Sequence, residues 1–229
     1  MAVQERLSSF HLITGGSGSG KSAYAESCVT AISSRRIYIA TMIPYGEDGK
    51  RRVERHRNLR KEKNFETVEC YMGLEQLDLK SIIQKMRLEQ RDSKSIIQKM
   101  RLEQRDSKSS IWKTAPEMSS CESEALNEET HFSDMVVLLE CMSNLVANEM
   151  FEPNGAGKDT VEAVMRGIEA LRRQVCHLVV VTNEVFSDGI TYDAETMRYL
   201  SYLGAVNREM AAQADAVTEV VYGIPVKIK

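Results

Sequence analysis

The stretch GGSGSGKS, from Gly15 to Ser22, limits the possible folds of this chain more than any other feature. It satisfies the spacing G-x-x-x-x-G-K-[ST], and it lies between an apolar run, FHLIT at 10–14, and a stretch with helical character. Glycines let the backbone curl until its N–H groups face phosphate oxygens, and the following helix adds its positive N-terminal end. The motif therefore predicts a phosphate-binding loop between a buried strand and a helix.

Each residue type in this loop has a predicted task. Lys21 reaches the β- and γ-phosphates of a nucleoside triphosphate, and the hydroxyl of Ser22 holds Mg²⁺. The other residues bring their backbone to the phosphates; they are Gly15, Gly16, Ser17, Gly18, Ser19 and Gly20. The loop predicts a P-loop NTPase or kinase, but it does not indicate the second substrate.

Apolar runs alternate with helical stretches along most of the chain. The candidate strands after the loop are RIYIAT at 36–41, FETVEC at 65–70, MVVLLE at 135–140 and HLVVVTNEV at 177–185. Residues 193–214 have helical character, and the final stretch from 216 reads as a strand followed by an extended tail. This alternation predicts an α/β fold with a mostly parallel sheet.

The middle of the chain departs from this pattern. SIIQKMRLEQRDSK occurs at 81–94 and again, unchanged, at 95–108, which indicates a tandem duplication or an error in the sequence. Fourteen residues nearly complete four helical turns, so the second copy predicts a longer helical hairpin; a dimerisation helix is the alternative. Residues 114–134 are acidic and Ser-rich, as in a flexible linker. We predict one domain, 1–229, with a helical and flexible insertion at about 79–133.

Composition narrows the class further. A net charge of −3 and a pI near 5.9 do not favour binding to nucleic acid or to an anionic membrane. The five cysteines contain no C-x-x-C pair, as expected for a reduced protein without a disulfide framework or zinc site. No signal peptide and no apolar run long enough to span a bilayer are apparent. These features predict a cytoplasmic protein.

A carboxylate at the end of a nearby strand usually completes a P-loop site. Glu140 ends the run MVVLLE, and ligands bind at the carboxyl ends of parallel strands. We expect Glu140 to coordinate Mg²⁺ or to orient an attacking hydroxyl; the alternative is a carboxylate that only caps the strand. Asn183 and Glu184 lie at the end of another candidate strand and point to the same edge, where either could contact substrate or metal; their roles stay open.

Several stretches in the same order point to one family. They are TGGSGSGKS, YIAT, RVERHRNLR, TVEC, LLEC, VTNEV, NREMAAQAD and VYGIPVKIK. Together they resemble the bifunctional adenosylcobinamide kinase/adenosylcobinamide-phosphate guanylyltransferase family of cobalamin biosynthesis. The duplicated segment and the acidic stretch depart from the family pattern, and Gly18 stands where many members carry arginine. The resemblance implies a RecA-like P-loop fold and a homotrimer.

The same resemblance implies two reactions. A nucleoside triphosphate, ATP or GTP, phosphorylates a hydroxyl of adenosylcobinamide. GTP then gives its GMP moiety to the resulting phosphate through a covalent guanylyl-histidine, for which His56 is the matching position. Further residues are implied to bind the guanine nucleotide; they are Thr41, Met42, Ile43, Arg57, Asn58, Leu59, Arg60 and Glu69.

The surroundings of His56 suit a nucleophile. Residues 51–61, RRVERHRNLRK, read as a charged helical stretch. Within it Arg52, His56 and Arg60 follow each other at four-residue spacing, so they share one face of the predicted helix. Nearby positive charge disfavours protonation of imidazole, and guanidinium groups hold phosphate. Two alternatives stay open. One is a P-loop kinase with a single activity. The other is a RecA-like ATPase that binds nucleic acid through the basic run 51–63.

Overall fold

The computed structural model describes residues 8–61, 63–86, 88 and 135–229, with the backbone alone at 52, 56 and 59–61. The described strands are β1 Ser9–Thr14, β2 Arg36–Ala40, β3 Phe65–Glu69, β4 Val136–Glu140, β5 His177–Val181, β6 Ala216–Val221 and β7 Ile224–Lys227. The described α-helices are α1 Lys21–Ile32, α2 Gly46–Lys61, α3 Met142–Phe151, α4 Thr160–Gln174 and α5 Ala194–Gln213. Leu74–Gln76 and Gly157–Asp159 form short 3₁₀ turns.

The described strands form one sheet in the order β3-β2-β4-β5-β1-β6-β7. All neighbours are parallel except β6 and β7, so the predicted α/β class with a mostly parallel sheet is confirmed. The predicted strands at 10–14, 36–41, 65–70 and 135–140 agree with the structure to within one residue at either end. Apolar runs became strands here because both faces of a central parallel sheet are buried.

Two strand predictions were wrong in detail. The run at 177–185 forms a strand only as far as Val181, and Asn183 and Glu184 lie in the loop beyond it. The extended tail is a seventh strand, because Tyr222 and Gly223 have left-handed backbone angles (φ of 51° and 79°) and turn the chain back on β6. A two-residue turn with positive φ at both positions matches the twist of an antiparallel hairpin.

Helices cover the sheet. α1 packs on β1, β4, β5 and β6, and its Ala25 and Val29 are fully buried against Ile13, Leu138 and Val179. α3, α4 and α5 contact one another, while α4 reaches β5 and α5 reaches β1. Tyr38 and Leu138 belong to the core cluster under α1, and strand alternation therefore places Glu140 on the same face. None of the described helices has the length and apolar character needed to cross a membrane.

The chain divides into two compact units, 1–77 with 129–229, and 78–128. In the second unit residues 79–86 are helical, and the carboxylate of Asp78 accepts hydrogen bonds from the backbone N–H and the hydroxyl of Ser81, at 3.2 and 2.6 Å. The second repeat copy (95–108) and the acidic stretch (114–134) lie outside the described residues. The insertion at about 79–133, with its helical hairpin, therefore stays a prediction.

Candidate active site

The loop between β1 and α1 has the conformation of an anion cradle. Gly20 precedes α1 with a left-handed backbone (φ of 90°), and no side chain caps the first turn of that helix. No side-chain oxygen therefore occupies the first N–H groups of the helix, which leaves them available to an anion. The side chain of Lys21 is only 9% exposed and donates to the carbonyl of Gly16 at 3.1 Å. The hydroxyl of Ser19 is buried without a hydrogen-bond partner in the described structure, which suits a loop that receives phosphate oxygens.

Neighbouring strands fix the shape of this loop. A Cβ atom on Gly15 would lie 2.6 Å from the carbonyl oxygen of Val220, so only glycine fits so close to β6. The backbone N–H of Gly223, in the β6–β7 turn, donates to the carbonyl of Ser19 at 2.8 Å. On the other side the N–H of Glu184 donates to the carbonyl of Gly15 at 3.0 Å. The loop is therefore held by backbone contacts at both ends.

Ser22 and Glu140 meet at the end of this loop. The hydroxyl of Ser22 donates to one carboxylate oxygen of Glu140, and the hydroxyl of Tyr38 donates to the other at 3.0 Å. Tyr38 is 4% exposed, and its ring packs edge-on against Phe65. The carboxylate of Glu140 is therefore held between α1 and β2, facing the phosphate loop.

The hydroxyl and carboxylate oxygens of Ser22 and Glu140 are hard ligands of the kind that Mg²⁺ prefers. Within the described residues no group of three or more His, Cys, Asp or Glu side chains is arranged to bind a metal ion. A magnesium ion held by one or two protein oxygens and by phosphate needs no such cluster. The pair therefore fits Mg²⁺ in the company of a nucleotide.

A cleft extends from Glu140 to the helix α2; we call it the α2 cleft. Its inner part is lined by Tyr38, Met42, Glu140 and Asn144. Its outer part is lined by Lys50, Arg57 and Asn58. Val53, Glu69 and Tyr71 line both parts and make them continuous. The cleft thus joins the phosphate side of the site to the basic helix.

Glu69 is anchored in the middle of the α2 cleft. The guanidinium of Arg57 donates to one of its carboxylate oxygens, and the hydroxyl of Tyr71 donates to the other at 2.7 Å. The side chains of Arg57 and Glu69 are 52% and 38% exposed, so this ion pair adds little to stability. A carboxylate accepts about four hydrogen bonds, and Glu69 therefore keeps acceptor capacity for a ligand.

Three residues after β2 were expected to bind the guanine nucleotide, and the structure places their side chains in different surroundings. The side chain of Met42 lines the α2 cleft. Thr41 is fully buried, and its hydroxyl donates to the carbonyl of Cys141 and accepts from the N–H of the same residue, both at 2.8 Å. Its side chain is therefore occupied in joining β2 to β4. Ile43 is half-buried and is absent from the residues that line the cleft.

Residue 56 lies in α2, as the sequence predicted, together with the backbone of residues 59 and 60. At about 100° per residue, position 56 is about 60° around the helix from Val53, and Arg57 is about 40° to the other side. Since Val53 and Arg57 both line the cleft, position 56 belongs to the same half of the helix. Asn58 lines the outer part.

Asn183 and Glu184 are engaged in local bonds. The amide of Asn183 donates to the hydroxyl of Ser143 at 2.6 Å. The carboxylate of Glu184 accepts from the N–H of Phe186 and from the hydroxyl of Ser187, both at 2.9 Å. These contacts organise the loop after β5, and neither side chain lines the α2 cleft.

Burial shifts the acidity of several groups beside the cleft. It raises the pKa of the Cys70 thiol to about 11, and the Glu149 carboxylate adds to this effect. Burial also raises the pKa of Cys141, which follows Glu140, and raises the pKa of Tyr199 to about 12. The thiols therefore stay protonated at neutral pH, so neither is suited to act as a nucleophile.

Sequence reasoning missed three residues that shape this site: Tyr38, Tyr71 and Asn148. Tyr38 and Tyr71 were hidden in or beside apolar strands, where an aromatic residue usually indicates core. Asn148 lies within α3, eight residues after Glu140, and is 8% exposed. Its side-chain amide donates to the carbonyls of Thr41 and Tyr71, next to the cleft. A polar residue on the buried face of a helix was the one available signal.

The parallel sheet, the phosphate loop after β1 and the carboxylate at the end of β4 define a nucleotide-binding protein of the P-loop class. A family model described as cobinamide kinase / cobinamide phosphate guanyltransferase matches residues 11–97 and 92–228. The chain belongs to this family, and it is a bifunctional kinase and guanylyltransferase of that kind. The two matches overlap at 92–97, inside the duplicated segment.

Curated relatives cover the chain almost completely. The bifunctional adenosylcobalamin biosynthesis protein CobU of Escherichia coli (strain K12) is 30% identical over 230 positions, covering 95% of this chain and 98% of that protein. CobU of Salmonella typhimurium (strain LT2) is 26% identical with the same coverage. Among solved structures, the flagellar accessory protein FlaH from Methanocaldococcus jannaschii aligns with a TM-score of 0.40 at 11% identity, covering 97% of this chain and 79% of that chain.

Proposed function

We propose that this enzyme phosphorylates the terminal hydroxyl of the aminopropanol arm of adenosylcobinamide and then guanylylates the product. In the second reaction the GMP moiety of GTP passes to adenosylcobinamide phosphate, giving adenosylcobinamide-GDP and pyrophosphate. Family membership supports both reactions. The observation that carries the proposal is the continuity of the α2 cleft, which begins at Glu140 beside the phosphate loop and ends at the helix that contains residue 56.

In the kinase step the phosphate loop holds the triphosphate. The N–H groups at the start of α1 and the ammonium of Lys21 take up charge on the phosphates. Glu140 orients the attacking hydroxyl, and Ser22 together with Glu140 would hold Mg²⁺. When bound, that ion neutralises charge that develops between the phosphates.

In the transfer step the imidazole of His56 attacks the α-phosphorus of GTP. A P–N bond forms, and the P–O bond to pyrophosphate breaks. A phosphate oxygen of adenosylcobinamide phosphate then attacks the same phosphorus, and the P–N bond breaks. Arginine side chains of α2 keep the imidazole neutral before attack and stabilise charge on the transferred group.

The α2 cleft is the proposed site of the guanine nucleotide. Glu69 accepts hydrogen bonds from N1–H and the 2-amino group of guanine, which adenine lacks in this arrangement. Met42 supplies an apolar wall, while Arg57 and Asn58 lie toward the ribose and phosphates. The homotrimer, in which neighbouring subunits complete each site, and the cytoplasmic location belong to the same proposal and rest on the family resemblance.

The test is covalent labelling. The protein is incubated with Mg²⁺ and GTP carrying a labelled α-phosphate, then denatured, and protein-bound label is counted. We expect label that is acid-labile, alkali-stable and absent from His56→Ala. His177→Gln is the control, because His177 begins β5 and therefore lies at the amino-terminal ends of the strands, whereas Glu140 lies at their carboxyl ends.

The labelling result separates the proposal from its two rivals. An active, folded protein that takes up no label has a single kinase activity, and the transfer mechanism is then wrong. ATP hydrolysis that is stimulated by polynucleotide and lost at high salt would instead favour the nucleic-acid-binding ATPase.

A further inference from the structure

Two loops that line the α2 cleft rest on one buried amide. Asn148, in α3, is 8% exposed, and its side-chain nitrogen has two N–H groups. One donates to the carbonyl of Thr41 at 2.8 Å, and the other donates to the carbonyl of Tyr71 at 2.9 Å. Thr41 follows β2 and Tyr71 follows β3, so a single nitrogen atom sets the separation of these two loops.

Each loop leads directly to a wall of the cleft. Met42 follows Thr41 and lines the inner part. Tyr71 lines both parts, and its hydroxyl holds the carboxylate of Glu69 at 2.7 Å. A displacement of either carbonyl would therefore move the apolar wall relative to the carboxylate.

Glu149, the residue after Asn148, also holds the loop that contains Tyr71. Glu149 is 4% exposed, and its carboxylate accepts from the N–H of Gly73 at 2.8 Å and from the N–H of Ala156 at 3.0 Å. Gly73 ends the same loop that contains Tyr71. The adjacent side chains of Asn148 and Glu149 thus bind that loop at two points.

We propose that Asn148 is a positioning residue for guanine recognition, holding Met42 and the Tyr71–Glu69 pair at the separation that the base requires. This inference rests on the proposed use of the α2 cleft for the guanine nucleotide. A preorganised pocket binds more tightly because less ordering is needed on binding. Asn148 touches no substrate in this scheme, and the phosphate loop has no bond to it.

The test compares GTP with inorganic tripolyphosphate, which has phosphates but no base. Both are titrated calorimetrically, with Mg²⁺ present, into full-length protein in which every variant also carries His56→Ala, so that GTP binds without forming the covalent guanylyl-histidine. We expect Asn148→Ala to raise the Kd for GTP about tenfold, the effect of losing two hydrogen bonds that order the pocket, and to leave the Kd for tripolyphosphate unchanged. A purely structural role would weaken both ligands together or neither.

Gln174→Ala is the matched control. The amide nitrogen of Gln174 donates to the carbonyls of Leu77 and Ala170, at 2.9 and 3.2 Å, and Gln174 is absent from the residues lining the α2 cleft. We expect this variant to bind both ligands normally. A folded Asn148→Ala with unchanged GTP affinity, or with equal losses for both ligands, overturns the inference. If that variant does not fold, Asn148→Ser, which keeps one donor, is measured against the same criteria.

Glu69→Gln separates this inference from the proposed function. If Glu69→Gln leaves GTP affinity unchanged, the base does not occupy the cleft, and the proposed site itself is wrong. If Glu69→Gln weakens GTP while Asn148→Ala does not, the site stands and only the positioning role of Asn148 fails.

Discussion

Ser22 and Glu140 are separated by 118 residues in the chain, yet the hydroxyl of Ser22 donates a hydrogen bond to the carboxylate of Glu140. Ser22 lies in the first turn of α1, and Glu140 is the last residue of β4. β4 and β1, the strand that leads into the phosphate loop, are not neighbours in the sheet, because β5 lies between them. The hydrogen bond therefore joins the phosphate loop and α1 to the carboxylate at the end of β4, which together form the proposed kinase site.

Replacement of Glu140 tests that junction directly. We expect Glu140→Gln to lower kcat for phosphorylation of adenosylcobinamide at least about 100-fold, because an amide carries no charge for Mg²⁺ and is a poor acceptor for the attacking hydroxyl. Initial rates at saturating ATP provide the measurement. Glu152→Gln, which alters a half-buried carboxylate bonded to the hydroxyl of Tyr45, is the control. A loss smaller than about threefold would show that Glu140 only caps β4.

Tyr38→Phe removes one donor to Glu140 and leaves the ring in place. Since a hydrogen bond to a charged group contributes about 1.5–3 kcal/mol, we expect the half-saturating Mg²⁺ concentration for ATP binding to rise about tenfold. Binding is followed with a fluorescent ATP analogue over a Mg²⁺ titration. Tyr192→Phe, which loses an exposed bond to Asp188, should match the unaltered protein. A Tm loss without any change in the Mg²⁺ titration contradicts the role.

Two neighbouring glycines should respond differently to alanine. A Cβ on Gly15 would lie 2.6 Å from the carbonyl oxygen of Val220, whereas a Cβ on Gly16 would meet nothing within 4 Å. We expect Gly15→Ala to cost about 1–3 kcal/mol of unfolding free energy and Gly16→Ala to cost less than about 1 kcal/mol. Urea denaturation of both variants measures the difference. Equal stabilities would mean that β6 yields to the added methyl group.

The thiol of Cys70 should react slowly and with a steep pH dependence. Its pKa is raised to about 11, so its thiolate fraction at pH 8 is about 0.001 and grows about tenfold per pH unit up to pH 10. Iodoacetamide labelling of the Cys70 peptide, followed by mass spectrometry, measures this rate. A rate that levels off below pH 9 would contradict the raised pKa.

The raised pKa of Cys70 should also make the protein less stable as the pH rises above 9. Because burial favours the protonated form, its contribution to stability is complete below the ordinary thiol pKa of 9.0 and is lost as the pH rises through about 11. Thermal unfolding of the unaltered protein and of Cys70→Ala between pH 8 and 11 compares the two slopes. We expect the Tm to fall more steeply with pH in the protein that retains Cys70.

Deletion of residues 95–108 should leave both activities nearly intact. These residues repeat 81–94 letter for letter, and the two family matches overlap at 92–97. Removal therefore restores a single copy of the segment while the phosphate loop, Glu140 and α2 keep their sequences. Both activities and the Tm are measured on the deleted protein. A folded variant with more than about a tenfold loss of turnover would show that the second copy contributes to function.

Local sequence patterns predicted most of the fold because they have local physical causes. The apolar runs at 36–41 and 135–140 became strands since central parallel strands bury both faces. Gly20 and Lys21 predicted where α1 begins because the phosphate-loop motif requires that backbone. The tail was misjudged because Tyr222 adopts a positive φ that its side chain does not announce.

The sequence by itself determined the protein class, the phosphate loop and the family, since these depend on residue type at short spacing. Only the tertiary structure decided that Tyr38 holds Glu140, that Tyr71 holds Glu69, and that Asn148 supports two loops at once. Those relationships depend on strand order and register, which bring Ala40 beside Glu140 on one side and beside Glu69 on the other. Strand order is set by the packing of the whole core, and no local pattern encodes it.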